Sequence, residues 1–148
     1  FPTRRSSDLG SMTATIVLDA SAAVRAVMDP AGQPALIDRI EGSALVLAPA
    51  LMRVEAANAL WKYARSRVLS SQEALLRHHE ALLLVHRYVE DQALYPEALQ
   101  WALDADHPVY DALYAVTTRR HAATLVTCDR RLLAACAAAG IAGECYSA

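Results

Sequence analysis

Apolar residues fall along the chain in two alternating patterns, short unbroken runs and longer stretches with helical spacing. Thr15–Leu18 is a β-branched and apolar run that ends at Asp19, and ASAAVRAVM over Ala20–Met28 suits a helix. The segment reads as strand, carboxylate, helix. Residues 34–40 predict a second helix, and ALVLA at 44–48 has the continuous apolarity of a strand buried in a parallel sheet. From Pro49 onward, PALMRVEAANALWKYARSR predicts a helix. Its apolar repeat is Leu51, Val54, Leu60 and Tyr63, while Glu55, Asn58 and Lys62 share another face.

Ser71 and Glu73 open a long apolar pattern, Leu75, Leu76, Leu82, Leu83, Val85 and Val89, which predicts one helix of a helical arm over 72–90, mostly packing material. Pro96 suits the first turn of a shorter helix ending at Ala105, and Pro108 the start of another that carries VYDALYAVTTRRHA. That places Asp111 in an N-terminal turn. Residues 123–127, ATLVT, predict a strand, 129–140 a helix stopped by Gly140, and the tail a short edge strand. Helices alternating with a few short strands indicate an α/β domain with a small central parallel sheet flanked by helices. The aromatic residues Trp61, Tyr63, Trp101 and Tyr114 lie in helical patterns and are expected in the core or at subunit contacts.

At 148 residues the chain has the length of one domain. Residues 1–11, FPTRRSSDLGS, are polar and without periodicity, and are expected to be a non-native leader ahead of a domain at 12–148. The longest apolar run, 44–52, is too short to cross a bilayer and contains Pro49, so no membrane insertion is expected. Cys128, Cys136 and Cys145 are odd in number and lack a CxxC pair, which predicts free thiols in a reducing, cytoplasmic compartment. The formal net charge is -2, and becomes -3 without residues 1–11, which carry two arginines and one aspartate. No global positive field attracts a polyanion, so any contact with nucleic acid is local.

The acidic residues fall at element boundaries. Asp19 and Asp129 follow strands, and Glu55 and Asp111 occupy early helical turns; parallel strands would bring all four to one sheet edge. Carboxylates held close together repel, and a divalent cation relieves that repulsion. Oxygen ligands without paired His and Cys favour Mg²⁺ or Mn²⁺ over zinc. Each carboxylate also has a plainer role to set against this: Asp19 and Asp129 as helix caps, Asp111 as a charge at a helix N-terminus, Glu55 as a solvated helix residue. The five histidines lack metal-motif spacing and are expected in surface or packing roles.

The strings IVLDASAAV, PALMRVEAANAL, HPVYDALYAV and LVTCDRRLL, in this order, resemble the acidic motifs of PIN-domain nucleases, and most nearly those of VapC-like toxins of toxin-antitoxin pairs. The resemblance covers most of residues 15–146 and is specific as an ordered set. It implies a PIN-like fold and Mg²⁺- or Mn²⁺-dependent endonucleolytic cleavage of RNA. The metal site would comprise Asp19 as the first motif aspartate, Glu55 as the glutamate, Asp111 as the third-motif aspartate and Asp129 as the last. Ser21, Asn58 and Thr127 are candidates for supporting those ligands. Arg53, Lys62, Arg119, Arg130 and Arg131 are candidates for RNA contact. The resemblance further implies a homodimer and a cognate antitoxin protein as partner. Thr117 and Thr118 stand where the family more often has alanines, a departure that leaves the motif carboxylates in place. The alternatives are a catalytically inactive PIN-like interaction module and a divalent-metal phosphatase of another α/β class.

Overall fold

The computed structural model of the protein describes residues 14–90 and 92–147. The expected leader at 1–11 lies outside the described residues. Five strands, β1 (Thr15–Leu18), β2 (Leu45–Pro49), β3 (Arg87–Val89), β4 (Thr124–Thr127) and β5 (Gly143–Cys145), form one sheet in the order β3-β2-β1-β4-β5. Every pairing is parallel. Ile16, Val17 and Leu18 on the central strand are fully buried, so side chains pointing to either face of the sheet are covered.

Among the described residues, seven helices supply that cover: α1 (Ala20–Met28), α2 (Pro34–Glu41), α3 (Met52–Arg65), α4 (Ser71–Leu83), α5 (Leu94–Ala105), α6 (Val109–Arg120) and α7 (Arg130–Ala138). Helix α6 packs on β1, β2 and β4 with α5 against it, while α1 packs on β4 and against α3 and α4. The small residues Ala22, Ala23, Ala112 and Ala115 are fully buried, which lets these helices lie close to the strands. Gly140 adopts φ +72 after α7, the left-handed conformation that ends a helix without a Cβ clash.

Two sequence-based expectations are corrected. Residues 72–90 are not one helix: α4 ends at Leu83, and Arg87–Val89 forms the edge strand β3 beside β2. Nor do its leucines all pack, since Leu75, Leu76 and Leu83 are exposed. On α3 the buried stripe is Met52, Ala56 and Leu60, spaced by four, whereas Val54 and Tyr63 face outward. Of the four aromatics, Trp101 and Tyr114 lie in the core and Trp61 and Tyr63 are exposed.

Candidate active site

Strand order reverses between β1 and β4: the chain runs from β1 outward to β3 on one side, and from β4 to β5 on the other. The carboxyl ends of strands at such a switch point form the binding crevice of open α/β sheets. Asp19 and Asp129 stand at those two ends, and the Asp19 amide donates to the Val126 carbonyl at 2.9 Å. Although Asp19 is the N-cap residue of α1, its side chain makes no capping hydrogen bond. Instead its Oδ2 accepts from Ser21 Oγ and from Thr127 Oγ1, each at 2.6 Å. Those hydroxyls also accept backbone amides, Cys128 N at 3.0 Å on Ser21 and Asp129 N at 2.9 Å on Thr127. One hydroxyl network thus ties the ends of β1 and β4 together. Asp129 does cap α7, with Oδ1 accepting from the amides of Arg131 and Leu132.

The other two carboxylates come from helices. Glu55, in the first turn of α3, receives the Tyr114 hydroxyl on Oε1 at 2.6 Å. Tyr114 itself is fully buried on α6, one turn after Asp111. Asp111 Oδ2 lies 3.5 Å from His107 Nδ1. Burial pushes the Asp19 carboxyl above its ordinary value; its two hydroxyl donors oppose the shift, and the charges of Asp111 and Asp129 add to it. Glu55 is raised too, first by burial and then by the charges of Asp19 and Asp111, against the Tyr114 hydrogen bond. Tyr114 is held well above its usual range by burial and by the charges of Asp19 and Glu55.

The donor set is all oxygen and mutually repulsive, which fits a hard divalent cation. Among the described residues, however, no three carboxylate, His or Cys side chains lie close enough together to form a ready metal cage. The carboxylates surround Asp19 without closing on one point.

A protein-family model described as the PIN domain matches residues 16–138. The chain belongs to the PIN-domain family. Among curated proteins, Exonuclease VapC9 of Pyrobaculum aerophilum is 42% identical over 81 residues, 54% of this chain and 59% of that protein's length. Among solved structures, the crystal structure of PAE2754 from Pyrobaculum aerophilum superposes with a TM-score of 0.66 at 32% identity, covering 84% of this chain and 87% of that one. The five-stranded parallel sheet with flanking helices is therefore a PIN fold.

The basic side chains of this PIN domain are distributed unevenly around the edge. Glu55, Asn58 and Lys62 line an open cavity of about 470 Å³ along α3, together with Ala59, Tyr63 and Ser66. A second, of about 530 Å³, shares Ala59 and Tyr63 and reaches Ser21, Arg25 and Cys128. Arg53 stacks over the Tyr88 ring, 5.0 Å from its centroid, and lies 3.5 Å from Glu90 at the end of β3. Arg130 and Arg131 are exposed in the first turn of α7, and Arg130 Nε donates to Ser147 Oγ. The structure does not bring Arg119 to this edge. It lies at the far end of α6, about 12 Å along the helix from Asp111 at 1.5 Å per residue, and bonds Glu97 at 2.9 Å.

Three residues around the candidate site are not singled out by the sequence: residue type and helical pattern place Tyr114 in the core or at a subunit contact, His107 lacks metal-motif spacing, and Arg25 carries no motif. The available signal was position: Tyr114 stands three residues after Asp111 on the same helix, and His107 immediately precedes the Pro108 N-cap of that helix. Thr117 and Thr118 are buried; Thr118 Oγ1 donates to the Tyr114 carbonyl at 2.7 Å, leaving the motif carboxylates undisturbed.

Proposed function

We propose that this PIN domain is a divalent-metal-dependent endoribonuclease, the toxin of a toxin-antitoxin pair, and that it acts in the cytoplasm. The observation that carries the catalytic reading is the environment of Asp19. It is a buried carboxylate at the switch point of a parallel sheet, aimed by two hydroxyls and not used to cap its helix. Burying a charge is unfavourable unless something compensates it, and both hydroxyls serve Oδ2. Oδ1 is left for a cation.

Asp19, Glu55, Asp111 and Asp129 would hold Mg²⁺ or Mn²⁺, which when bound supplies positive charge that polarises a phosphodiester and makes a water more acidic. Ser21 and Thr127 fix the Asp19 rotamer. Tyr114 holds Glu55, and Asp129 is kept in place by the α7 amides it caps. Lys62, which lines an open cavity with Asn58, and the exposed Arg130 and Arg131 at the start of α7 would supply positive charge for phosphates. Arg53, engaged by Tyr88 and Glu90, steadies the outer rim.

Two exposed apolar surfaces support assembly with a second copy and with an antitoxin segment. One includes Trp61 and Leu75, which line a single open cavity between α3 and α4, and the other Tyr95, Leu99 and Leu103 at a spacing of four along α5. The chain spans 59% of Exonuclease VapC9, so that protein's named activity bears on this one only as a proposal.

Circular and end-labelled linear RNA, incubated with the protein and Mn²⁺, separate the readings. Endonucleolytic action predicts linearisation of the circle; degradation of linear RNA alone marks an exonuclease. Metal-dependent release of phosphate from p-nitrophenyl phosphate with both RNAs intact marks a phosphatase. The open spacing of the carboxylates favours one rival, an inactive interaction module, which predicts no reaction in any arm.

A further inference from the structure

The α5–α6 turn contains a buried ring nitrogen with no hydrogen-bond partner among the described residues. His107 Nδ1 is buried and makes no hydrogen bond, in a side chain only 9% exposed. Asp111 Oδ2, at 3.5 Å, is the acidic oxygen it approaches. Buried polar atoms in native proteins are nearly always paired; Trp101 Nε1 and Thr117 Oγ1 are unpaired as well, but His107 Nδ1 is the one that stands beside a carboxylate of the candidate site. The turn fixes where this imidazole stands. Asp106 takes the left-handed conformation, φ 53, at the end of α5, the His107 amide bonds the Ala102 carbonyl at 3.1 Å, and Pro108 forms the N-cap of α6. The ring packs at a tilt of 57° against Trp101, with centroids 6.0 Å apart. His107 is thereby held four residues before Asp111, on the same side of the helix start.

From this we infer that His107 is the positioning residue of Asp111, its Nδ1–H donating to Oδ2 and fixing the carboxylate rotamer that receives a divalent cation. The inference rests on the metal-site reading above. A hydrogen bond requires an approach of about 0.5 Å from the present 3.5 Å separation. Metal-ligating carboxylates are generally anchored in this way by a neighbouring donor, and loss of such a donor weakens metal binding by about 10- to 100-fold. Within this site Asp19 has Ser21 and Thr127, Glu55 has Tyr114, and Asp129 has its helix amides. Among the described residues, His107 is the neighbour that would complete the set for Asp111.

The test is Mn²⁺ titration by calorimetry of wild type, His107→Phe, His107→Asn and Asp19→Asn, with thermal melts in EDTA. Phenylalanine keeps the ring against Trp101 without a donor, whereas asparagine places an amide nitrogen near the Nδ1 position. The expected result is Mn²⁺ binding about 10- to 100-fold weaker in His107→Phe, and within about threefold of wild type in His107→Asn, with both variants melting cooperatively in EDTA. If His107→Phe does not fold, His107→Gln is compared with His107→Asn, since glutamine carries its amide near the Nε2 position. Weaker binding by glutamine supports the role, and equal binding overturns it. Equal affinity in wild type and His107→Phe, with binding lost in Asp19→Asn, overturns the positioning role alone. Absence of Mn²⁺ binding in wild type overturns the metal site and this inference with it.

Discussion

Thr127 holds more of the site together than its size suggests. Its hydroxyl donates to Asp19 and accepts from Asp129 N, joining two of the four carboxylate positions through one oxygen. Thr127→Val keeps the shape and removes both bonds, leaving a buried carboxylate short of a donor. A stability loss of about 1–3 kcal/mol is expected in urea denaturation, with most of it recovered in Thr127→Ser. An unchanged midpoint in the valine variant contradicts the network. The raised pKa of Asp19 has a thermodynamic sign as well. The native state holds this proton more tightly than the unfolded state, so the associated stability is full below the ordinary value of 3.8 and is lost as pH rises through the elevated one. Without metal, Asp19→Asn should therefore gain on wild type between about pH 4 and neutrality, and Mn²⁺ should reverse part of the gap. A difference independent of pH contradicts this. The carboxylates were legible in the sequence because each follows an apolar run or opens a helix. Tyr114 and His107 were not, because their roles depend on burial and on a partner's exact approach, which residue type does not encode.

Helices α3 and α4 show where patterning fails. Val54 and Tyr63 looked like core by residue type, yet α3 turns Met52, Ala56 and Leu60 inward, because alanine lets the helix approach its neighbours closely and hydrophobicity alone does not report that. Leu60→Ala should lower stability by about 2–5 kcal/mol, whereas Val54→Ser should stay within about 0.5 kcal/mol. The reverse order in chemical denaturation contradicts the assigned face. Leucine density also hid β3, since three residues at a partly exposed edge carry too little pattern to interrupt the apparent helix across 72–90. The other four strands and six of the helices were readable, each being bounded by a charge, a proline or a glycine that stops one period and starts another. The arginine expectations fared unevenly for a related reason: Arg119 falls near Asp111 in sequence, but a helix carries it to the other end of the domain.

An acidic domain that binds RNA must draw its attraction from a few local cations and from metal-neutralised carboxylates. Affinity for single-stranded RNA should fall with salt, each phosphate contact contributing about 0.7 to the slope of log K against log salt. Lys62→Ala should lower that slope by about this amount without selecting among sequences, as measured by fluorescence anisotropy on an uncleavable oligonucleotide. An unaltered slope removes Lys62 from the groove. If the exposed apolar residues of α3, α4 and α5 bring copies together as proposed, acidic repulsion between the copies opposes that assembly and apolar burial favours it. The central claim is that the sheet edge around Asp19 hydrolyses RNA with a divalent ion. Its most direct test is to map new RNA ends at nucleotide resolution after incubation with wild type in Mn²⁺, wild type in EDTA, and Asp19→Asn in Mn²⁺. The account predicts discrete internal 5′-phosphate ends with metal-loaded wild type and none in the other two samples; the same ends persisting with EDTA or with Asp19→Asn would contradict it.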